Sequence, residues 1–398
     1  MSQTNYEMNN NSFDNLISCF PQQGETTIRW DELWASPLGK VFEQMRQTPQ
    51  NPVYHAEGDV FAHTKFVCEQ LVKLQEYKAC NKMEKQVLFL SALLHDIGKP
   101  QCTRVEDGQI TSPRHAIVGA NIVRQLLWTT FDLAGTEEKR NIRESVCLLI
   151  KYHSFPPFAL KESTHPKKML AIASNGELTP YFSMKLLYIL EKADALGRKG
   201  RDVSDYLERI ECFKLLAEEA GVWENPHNFS TDFSKRAYFV GKTTWQNDTL
   251  YDDSWGTVTL LCGLPASGKD TFVEQHLQGL PVVCLDDIRA QLGISPTKPQ
   301  GPVIAQAKQI AKEYLRNKTP FVWNATSITK DTRNKLVGLF EGYGANVKIV
   351  FLETDWQGGL QRNLNRDRSV PQDAIEHMLS KLEIPERHEA QQVCWIIS

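Results

Sequence analysis

The stretch GLPASGKDT, residues 263–271, decides the fold of the second half of the chain. It follows an apolar run, residues 257–262, that predicts a buried strand, and it precedes residues 272–277, which predict the start of a helix. A glycine-rich loop between a strand and a helix is typical of a phosphate-binding loop. Its glycines let backbone N–H groups surround phosphates, the helix N-terminus adds positive charge, and Lys269 reaches the outer phosphates of a nucleoside triphosphate.

Around this loop, short apolar runs that predict strands alternate with stretches of helical periodicity. The predicted strands cover residues 257–262, 281–285, 320–323 and 346–352, and the predicted helices cover residues 304–315, 331–340 and 373–382. Short buried strands that alternate with helices are typical of a parallel sheet with helices on both faces. The second half of the chain is therefore predicted to be an α/β domain of the P-loop phosphotransferase type.

Four charged residues predict how the triphosphate is used. Asp286 follows the second strand, and the carboxyl end of a parallel strand faces the ligand crevice, where a carboxylate can accept a proton from an attacking hydroxyl. Arg289, three residues later, can hold an acceptor phosphate. Arg362 and Arg366 are four residues apart, which predicts one helix face directed at the triphosphate. An exposed basic helix is the alternative interpretation of this last spacing.

The first half of the chain is predicted to be all-α, because its apolar residues recur at helical spacing and strand-like alternation is nearly absent. A single histidine on such a helix is usually a packed core residue. The adjacent His95 and Asp96, however, precede a helix stop at residues 98–100, and Asp194 ends another apolar run. A carboxylate there is costly unless it is paired or bound to a metal. Imidazoles with carboxylates suit Zn, Mn, Fe, Co or Ni.

Length, net charge, cysteine content and the lack of long apolar stretches limit the classes of function that are expected. A length of 398 residues predicts two to three domains, and a net charge of −3 gives no global basic field for nucleic acid. The nine cysteines occur singly, which predicts reduced thiols in a cytoplasmic protein. The sequence has no 18-residue apolar stretch and no export leader, so we expect no membrane association.

Composition also predicts the domain boundaries. Residues 1–25 are polar and rich in asparagine, which predicts disorder. The helical domain is predicted to cover residues 26–220 and the α/β domain residues 256–398. Residues 221–255 are predicted to form a connector with a short strand at residues 236–240.

The histidines and aspartates of the first half match a known pattern. His63, His95-Asp96 and Asp194 fit the H…HD…D pattern of HD-domain phosphohydrolases. The segments that contain or follow them resemble the HD domain of bacterial CCA-adding tRNA nucleotidyltransferases, namely HAEGDVFAHT (55–64), HDIGK (95–99), RHAIVG (114–119) and ADALGR (193–198). The resemblance covers about residues 52–200, whereas the nucleotidyltransferase part has no counterpart.

This resemblance implies a metal-dependent phosphohydrolase site. Its implied metal ligands are His63, His95, Asp96 and Asp194. Relatives with a second metal recruit further histidines, a role that His115 and His153 could fill; a supporting or packing role is the alternative for both. A bound metal would activate water and neutralise phosphate charge. Lys99 is expected to neutralise charge that develops on the phosphoryl oxygens.

The second half resembles the kinase domain of phage polynucleotide 5′-kinase over residues 257 to about 382. The resemblance is carried by the phosphate-binding loop, Asp286 with Arg289, Asn324 with Arg333, and Arg362 with Arg366 and Val370-Pro371. It implies a general base at Asp286. It further implies acceptor binding by Arg289, Asn324 and Arg333. The resemblance also implies that ATP, or another nucleoside triphosphate, binds together with Mg²⁺. The implied contact residues are Gly263, Ser267, Gly268, Lys269, Asp270, Thr271, Arg362 and the catalytic Arg366.

One position departs from that family. Asp270 stands where Ser or Thr normally ligates Mg²⁺. Its carboxylate could ligate Mg²⁺ directly or through water, or Thr271 could replace the missing hydroxyl. The sequence leaves these alternatives open.

An HD domain followed by such a kinase resembles the bacterial HD-Pnk family of bifunctional end-healing enzymes. The resemblance implies ATP-dependent phosphorylation of 5′-OH polynucleotide ends and removal of 2′,3′-cyclic, 2′- or 3′-phosphates. RNA or DNA ends would be the substrates, a separate ligase would seal them, and homo-oligomerisation stays open. One rival is a nucleotidase fused to a small-molecule kinase. Another is an ATP-gated nucleic-acid-binding module with degenerate sites.

Overall fold

The computed structural model describes residues 13–22, 25–161, 165–200, 203–295, 298–366 and 368–398. The chain forms two compact units, divided between His227 and Asn228. The predicted disordered segment, residues 1–25, lies largely outside the described residues. For residues 13–22 that prediction is wrong, because Phe13–Ser18 is a helix and the side chains of Leu16 and Phe20 are buried in the first unit.

The first unit is helical, as predicted. Its helices are α1 (Phe13–Ser18), α2 (Trp30–Ala35), α3 (Gly39–Arg46), α4 (Val60–Leu71), α5 (Gln75–Ala79), α6 (Lys82–Leu94), α7 (Lys99–Cys102), α8 (His115–Thr129), α9 (Glu137–Tyr152), α10 (His165–Ala173), α11 (Met184–Gly197) and α12 (Val203–Glu219). Short 3₁₀ segments cover Pro156–Lys161 and Ser174–Glu177. A small antiparallel hairpin, β1 (Arg104–Glu106) and β2 (Gln109–Thr111), was not predicted.

Side-chain caps fix where the central helices begin. Asp59 accepts a hydrogen bond from the backbone N–H of Ala62 at the start of α4, and Asn81 forms a capping box with Glu84 at the start of α6. Ser183 caps α11 in the same way. These three helices pack against one another, and α9 packs on both α6 and α8. The core of this unit therefore lies between the helices that carry the predicted metal ligands.

The second unit is an α/β domain. Its elements are α13 (Asp232–Val240), β3 (Thr257–Cys262), α14 (Lys269–His276), β4 (Val282–Cys284), α15 (Leu285–Gln291), α16 (Gly301–Arg316), β5 (Val322–Asn324), α17 (Lys330–Glu341), β6 (Asn346–Glu353), α18 (Trp356–Leu364), α19 (Gln372–Ser380) and β7 (Gln392–Ile397). The strands form a parallel sheet in the order β4-β5-β3-β6-β7. The predicted fold class is confirmed, and β7 is an additional strand that the sequence analysis missed.

Residues 228–255, predicted as part of a connector, belong to the second unit. The predicted strand at 236–240 lies in helix α13, which Thr231 caps through the N–H of Ser234. The Arg236 guanidinium pairs with Glu341 at 2.7 Å and ties this helix to the α/β domain. The strand prediction is therefore wrong, because a local cap and a tertiary ion pair favour the helix.

All nine cysteines have free thiols. Among the described residues, no helix combines the length and the apolar character needed to cross a membrane.

Candidate active sites

Three histidines of the first unit are oriented through Nδ1 by the backbone. His95, His115 and His153 each place Nδ1 2.7–2.8 Å from the backbone carbonyl three residues earlier. A carbonyl oxygen can only accept a hydrogen bond, so each Nδ1 carries the proton and each neutral ring keeps a lone pair on Nε2. Because that lone pair is the metal-binding atom, the backbone prepares all three rings as ligands.

The structure brings the six predicted ligands together in two groups. The first triad is His63, His95 and Asp194, and the second triad is Asp96, His115 and His153. Within each triad the potential ligand atoms lie within 4.8 Å of one another. His63 Nε2 lies 2.7 Å from Asp194 Oδ1, and His115 Nε2 lies 3.3 Å from His153 Nε2.

Asp96 lies between the two triads. Its Oδ2 is 3.2 Å from His95 Nε2, and its Oδ1 is 3.4 Å from His115 Nε2. A carboxylate that offers one oxygen to each group can bridge two cations. The arrangement thus accommodates the implied four-residue metal site and also a second cation beside it.

The residues fit a bound metal on several grounds. His95 is buried, and its Nε2 faces the carboxylates of Asp96 and Asp194, at 3.2 and 3.7 Å. Burial opposes a charge on His95, yet Asp96 and Asp194 raise its pKa, so the site favours a positive charge. At His153, burial and the neighbouring histidines lower the pKa to about 3, so no proton would be held between its Nε2 and that of His115. Nitrogen and carboxylate donors together suit transition metals.

Both aspartates are anionic in spite of their burial. Burial alone would raise the pKa of Asp96, but Lys99 and His95 lower it well below its usual value. Burial likewise opposes ionisation of Asp194, whereas Arg198 and His63 lower its pKa well below the usual range. The predicted residue Lys99 lies with Nζ 2.7 Å from Asp96 Oδ2 and donates a hydrogen bond to Gln50.

The sequence analysis missed Glu57. Its Oε1 lies 2.8 Å from Nδ1 of both His55 and His63, and its Oε2 accepts a hydrogen bond from the Lys199 backbone at 2.9 Å. A carboxylate on Nδ1 orients a ligating imidazole and makes Nε2 more basic. A glutamate two residues after one histidine and six before another was the available signal.

Glu191 was also missed. It precedes Asp194 by one turn of α11, is 1% exposed, and leaves Oε2 without a hydrogen-bond partner in the described part of the chain. Burial and the charge of Asp194 raise the pKa of Glu191 well above its usual value, so its carboxyl is neutral. Glu191 lines the same cavity as Asp96, His115 and His153.

Arg198 is tied to the first triad. The Arg198 guanidinium forms an ion pair with Asp194 and lies 4.4 Å from the Tyr206 ring centroid. The following Arg201 lies outside the described residues.

Gly98 sets the spacing between the start of α7 and the start of α8. A Cβ atom at this position would lie 2.2 Å from the backbone oxygen of His115. Only glycine allows the backbone that follows Asp96 to approach the first residue of α8 so closely. This contact brings Asp96 near His115.

In the second unit, the phosphate-binding loop joins β3 to α14 as predicted. Gly263 and Gly268 have φ values of 146° and 80°, a region that glycine tolerates. The Lys269 ammonium donates hydrogen bonds to the carbonyls of Gly263 and Leu264, at 3.2 and 2.7 Å. Burial lowers the pKa of Lys269 to about 8. Lys269 thus lies folded over the loop, where triphosphate oxygens would replace the carbonyls.

Asp270 is held by the next strand. Its Oδ1 accepts a hydrogen bond from Asn324 Nδ2 at 2.7 Å, and its Oδ2 lies 3.5 Å from the Arg366 guanidinium. Asn324, for which acceptor binding stays a prediction, thus positions Asp270 in this structure. Ser267 is buried in the loop, whereas Thr271 is exposed on α14. Carboxylate oxygens are ligands that Mg²⁺ accepts, so Asp270 fits the place of the missing hydroxyl.

Asp286 and Arg289 lie on α15, directly after β4. Their side chains form an ion pair, and Arg289 Nε donates a hydrogen bond to Gln300 at 2.8 Å. Cys284 and Asn324 occupy paired positions at the ends of β4 and β5, so Asp286 lies at the same edge of the sheet as the loop. The structure thus brings the predicted base and the predicted donor site to one edge.

Two predictions in this unit are wrong. Arg333, predicted to bind the acceptor, is 0% exposed, and its guanidinium forms two hydrogen bonds with Glu389, at 2.7 and 2.9 Å. Arg362 and Arg366 do not share a helix face, because α18 ends at Leu364 and Arg366 follows it. Arg362 contacts the hydroxyl and the carbonyl of Ser398, each at 3.2 Å. The tertiary ion pair and the early helix end were not readable from spacing.

Comparisons with known proteins agree with this architecture. Residues 60–178 match a family model described as the HD domain, and residues 258–385 match one described as an AAA domain. Over 135 residues the chain is 24% identical to the L-seryl-tRNA(Sec) kinase of Methanococcus maripaludis, with 32% of this chain and 52% of the relative covered. The chain thus spans about half the length of that curated relative.

Among solved structures, a gluconokinase from Sinorhizobium meliloti 1021 aligns with 19% identity and a TM-score of 0.28, covering 36% of this chain and 83% of that one. The family matches and the kinase relative define the class of protein. The chain joins a helical HD domain to a P-loop kinase-like domain with a parallel sheet.

Proposed function

We propose that this protein heals polynucleotide ends, as the resemblance to the HD-Pnk family implies. The kinase domain transfers the γ-phosphate of ATP to a 5′-OH end. The HD domain removes a 2′,3′-cyclic, 2′- or 3′-phosphate. The observation that carries the proposal is the presence, in one chain, of a paired His/Asp metal constellation and a phosphate-binding loop with a carboxylate–arginine pair at its edge.

In the kinase reaction, Asp286 accepts the proton of the 5′-hydroxyl as that oxygen attacks the γ-phosphorus. For this step Arg289 leaves its ion pair with Asp286 and binds the phosphate on the 3′ side of the acceptor nucleotide. Lys269 and Arg366 stabilise the charge on the transferred phosphoryl group, and Arg362 binds the donor phosphates. Asp270 and its partner Asn324 would hold Mg²⁺ beside the triphosphate.

In the HD reaction, the two triads would hold the metal. When bound, the metal supplies an activated water and neutralises phosphate charge. Lys99 neutralises phosphoryl oxygens from the adjacent wall of the cavity. Glu191 lines the cavity one turn before Asp194, where its side chain borders the space for the phosphate. A ligase on a separate chain would join the resulting 3′-OH and 5′-phosphate ends.

The name of the curated relative supports a nucleic-acid acceptor, since it describes a kinase that acts on a seryl group carried by tRNA. The rival function is a nucleotidase fused to a small-molecule kinase. That rival predicts that a nucleoside 3′-monophosphate is phosphorylated at least as well as a dinucleotide or a longer chain.

The test uses the full chain and two oligonucleotides. One has a 5′-OH end and is incubated with γ-labelled ATP; the other ends in a 2′,3′-cyclic phosphate. We expect Asp286→Ala to abolish only the labelling and Asp96→Ala to abolish only the phosphate removal. Loss of both reactions in either variant would contradict two independent sites, and labelling of mononucleotides in preference to oligonucleotides would establish the rival.

A further inference from the structure

The cavity of the HD unit extends well beyond the metal triads. It has a volume of about 730 Å³. This size lies within the roughly 300–1,000 Å³ that is typical of pockets for small organic ligands. Asp96, His115, His153 and Asp194 line it together with the aromatic side chains of Phe158 and Tyr206. A bare phosphate would occupy only part of such a cavity.

The two aromatic residues come from different elements that pack together. Phe158 lies on the 3₁₀ segment Pro156–Lys161 and Tyr206 on α12. Their ring centroids are 6.2 Å apart at an interplanar angle of 86°. Phe158 is 37% exposed, although it borders a cavity whose other wall is highly charged. A large apolar ring that faces such a cavity is suited to a flat apolar ligand face.

The aromatic pair is connected to the metal site through Arg198. The Arg198 guanidinium lies 4.4 Å from the centroid of the Tyr206 ring and forms an ion pair with Asp194 of the first triad. The position of Tyr206 relative to the metal ligands is therefore fixed by a cation–π contact and a buried ion pair. A ligand that reaches both regions meets them at a defined spacing.

Positive side chains lie along the same cavity. They are Lys99, Arg114, Lys151, Lys168 and Arg198. The cavity therefore combines the Phe158 ring for stacking, cations for phosphodiester oxygens and a metal constellation for the phosphate that is cleaved. This combination is typical of surfaces that bind unpaired nucleotides.

We propose that Phe158, supported edge-to-face by Tyr206, forms a base-stacking subsite of the HD cavity, which binds the base of an unpaired terminal nucleotide while its phosphate enters the triads. The inference rests on the proposed phosphohydrolase function and adds the substrate class, a single-stranded nucleic-acid end. A terminal base in a duplex would have to leave its partner before it could enter.

The catalytic test compares two substrates of the full chain. One is a single-stranded oligonucleotide with a 5′-phosphate and a 3′-phosphate; the other is p-nitrophenyl phosphate, which has no base. In Phe158→Ala the ratio of kcat/KM for the oligonucleotide to that for p-nitrophenyl phosphate should fall roughly 5- to 150-fold, the effect of losing one stacking contact. Phe158→Trp, which restores a ring, should recover the ratio.

Leu160 provides a matched control. It lies on the same 3₁₀ segment and is 53% exposed, but it does not line the cavity. Leu160→Ala should leave the substrate ratio unchanged. An unchanged ratio in Phe158→Ala, or an equal fall in Leu160→Ala, would overturn the subsite.

A binding measurement separates this inference from the proposed reaction. The same oligonucleotide carries a fluorescent 2-aminopurine as its 3′-terminal base, whose emission is quenched when it stacks. Wild-type protein should quench it, Phe158→Ala should quench it less, and a duplex with a paired 2-aminopurine should be quenched less than the single strand. Quenching without phosphate removal would contradict the proposed reaction alone; phosphate removal without quenching would overturn the stacking subsite alone.

Discussion

The two sites differ in how far the polypeptide completes them by itself. In the HD unit, His63, His95 and Asp194 are at most 2% exposed and are held by carbonyls and buried charges. In the kinase unit, the side chains of Asp270 and Asp286 are 62% and 57% exposed and pair with arginines. Buried charges need fixed partners, whereas exposed charges pair weakly with one another. The first site is therefore rigid before its ligand binds, and the second must exchange partners.

The largest expected effect is at the kinase site, where charged side chains must exchange partners. Lys269→Met removes the ammonium group. In the free protein this group donates hydrogen bonds to two loop carbonyls, and it would donate to phosphate oxygens when ATP binds. We expect kcat of the kinase to fall by about 100- to 1,000-fold, as for other lost transition-state donors. Hydrolysis by the HD unit should not change. Lys335→Met, at an exposed lysine of α17, is the matched control and should leave both activities intact.

The site of the HD unit is tested through its metal content. His153→Ala removes a ligand of the second triad, so we expect one metal to be lost or to bind more than about 100-fold more weakly, a larger effect than changes outside the ligand set. Elemental analysis after dialysis against Mn²⁺ measures this directly. His377→Ala, on α19 of the other unit, should keep the full content. An unchanged content in His153→Ala would reduce the site to one metal.

A smaller effect is expected from the residue that orients His63. Glu57→Gln keeps the size of the side chain but removes the charge beside Nδ1 of His63. Metal affinity should fall about 10- to 100-fold, the usual effect of losing such a carboxylate. Isothermal titration calorimetry with Mn²⁺ measures this affinity. The loss should be larger in Glu57→Ala; equal affinities in wild type and both variants would show that His63 needs no orientation.

The smallest effect is a proton exchange at Lys269. Its pKa is lowered to about 8 by burial, and triphosphate charge should raise it again. Above pH 8 the free protein has partly lost this proton, so ATP binding should take up a fraction of one proton, and should take up almost none at pH 6. Calorimetry in two buffers of different ionisation enthalpy measures the uptake. A similar uptake in Lys269→Met would assign it to another group.

The sequence predicted the class of each unit, because the class depends on local patterns. Strand–loop–helix order predicts the phosphate-binding loop, whereas the grouping of His63, His95 and Asp194 was implied by the resemblance to HD-domain phosphohydrolases. The missed features depend on contacts distant in sequence. Arg333 is consumed by Glu389, which lies 56 residues away, and Asn324 is 54 residues from Asp270.

Glu57 and Glu191 show a different reason for a miss. Glu57 lies in a segment already quoted for its histidines and Glu191 lies one turn before Asp194, but these spacings alone do not distinguish buried carboxylates from surface glutamates. Only burial does so, since the Glu57 side chain is fully covered and Glu191 is enclosed on α11. Burial of a charged residue is a tertiary property that periodicity does not predict.

The close approach at Gly98 has a consequence for engineering the HD unit. Because the backbone at Gly98 lies against the start of α8, the spacing between Asp96 and His115 of the second triad depends on a residue whose side chain cannot bind a metal. Gly98→Ala would push α8 outward and carry His115 with it, while every ligand kept its identity. A designer who wishes to change which cation pair the unit selects could therefore adjust the scaffold at position 98 and leave the coordinating side chains untouched.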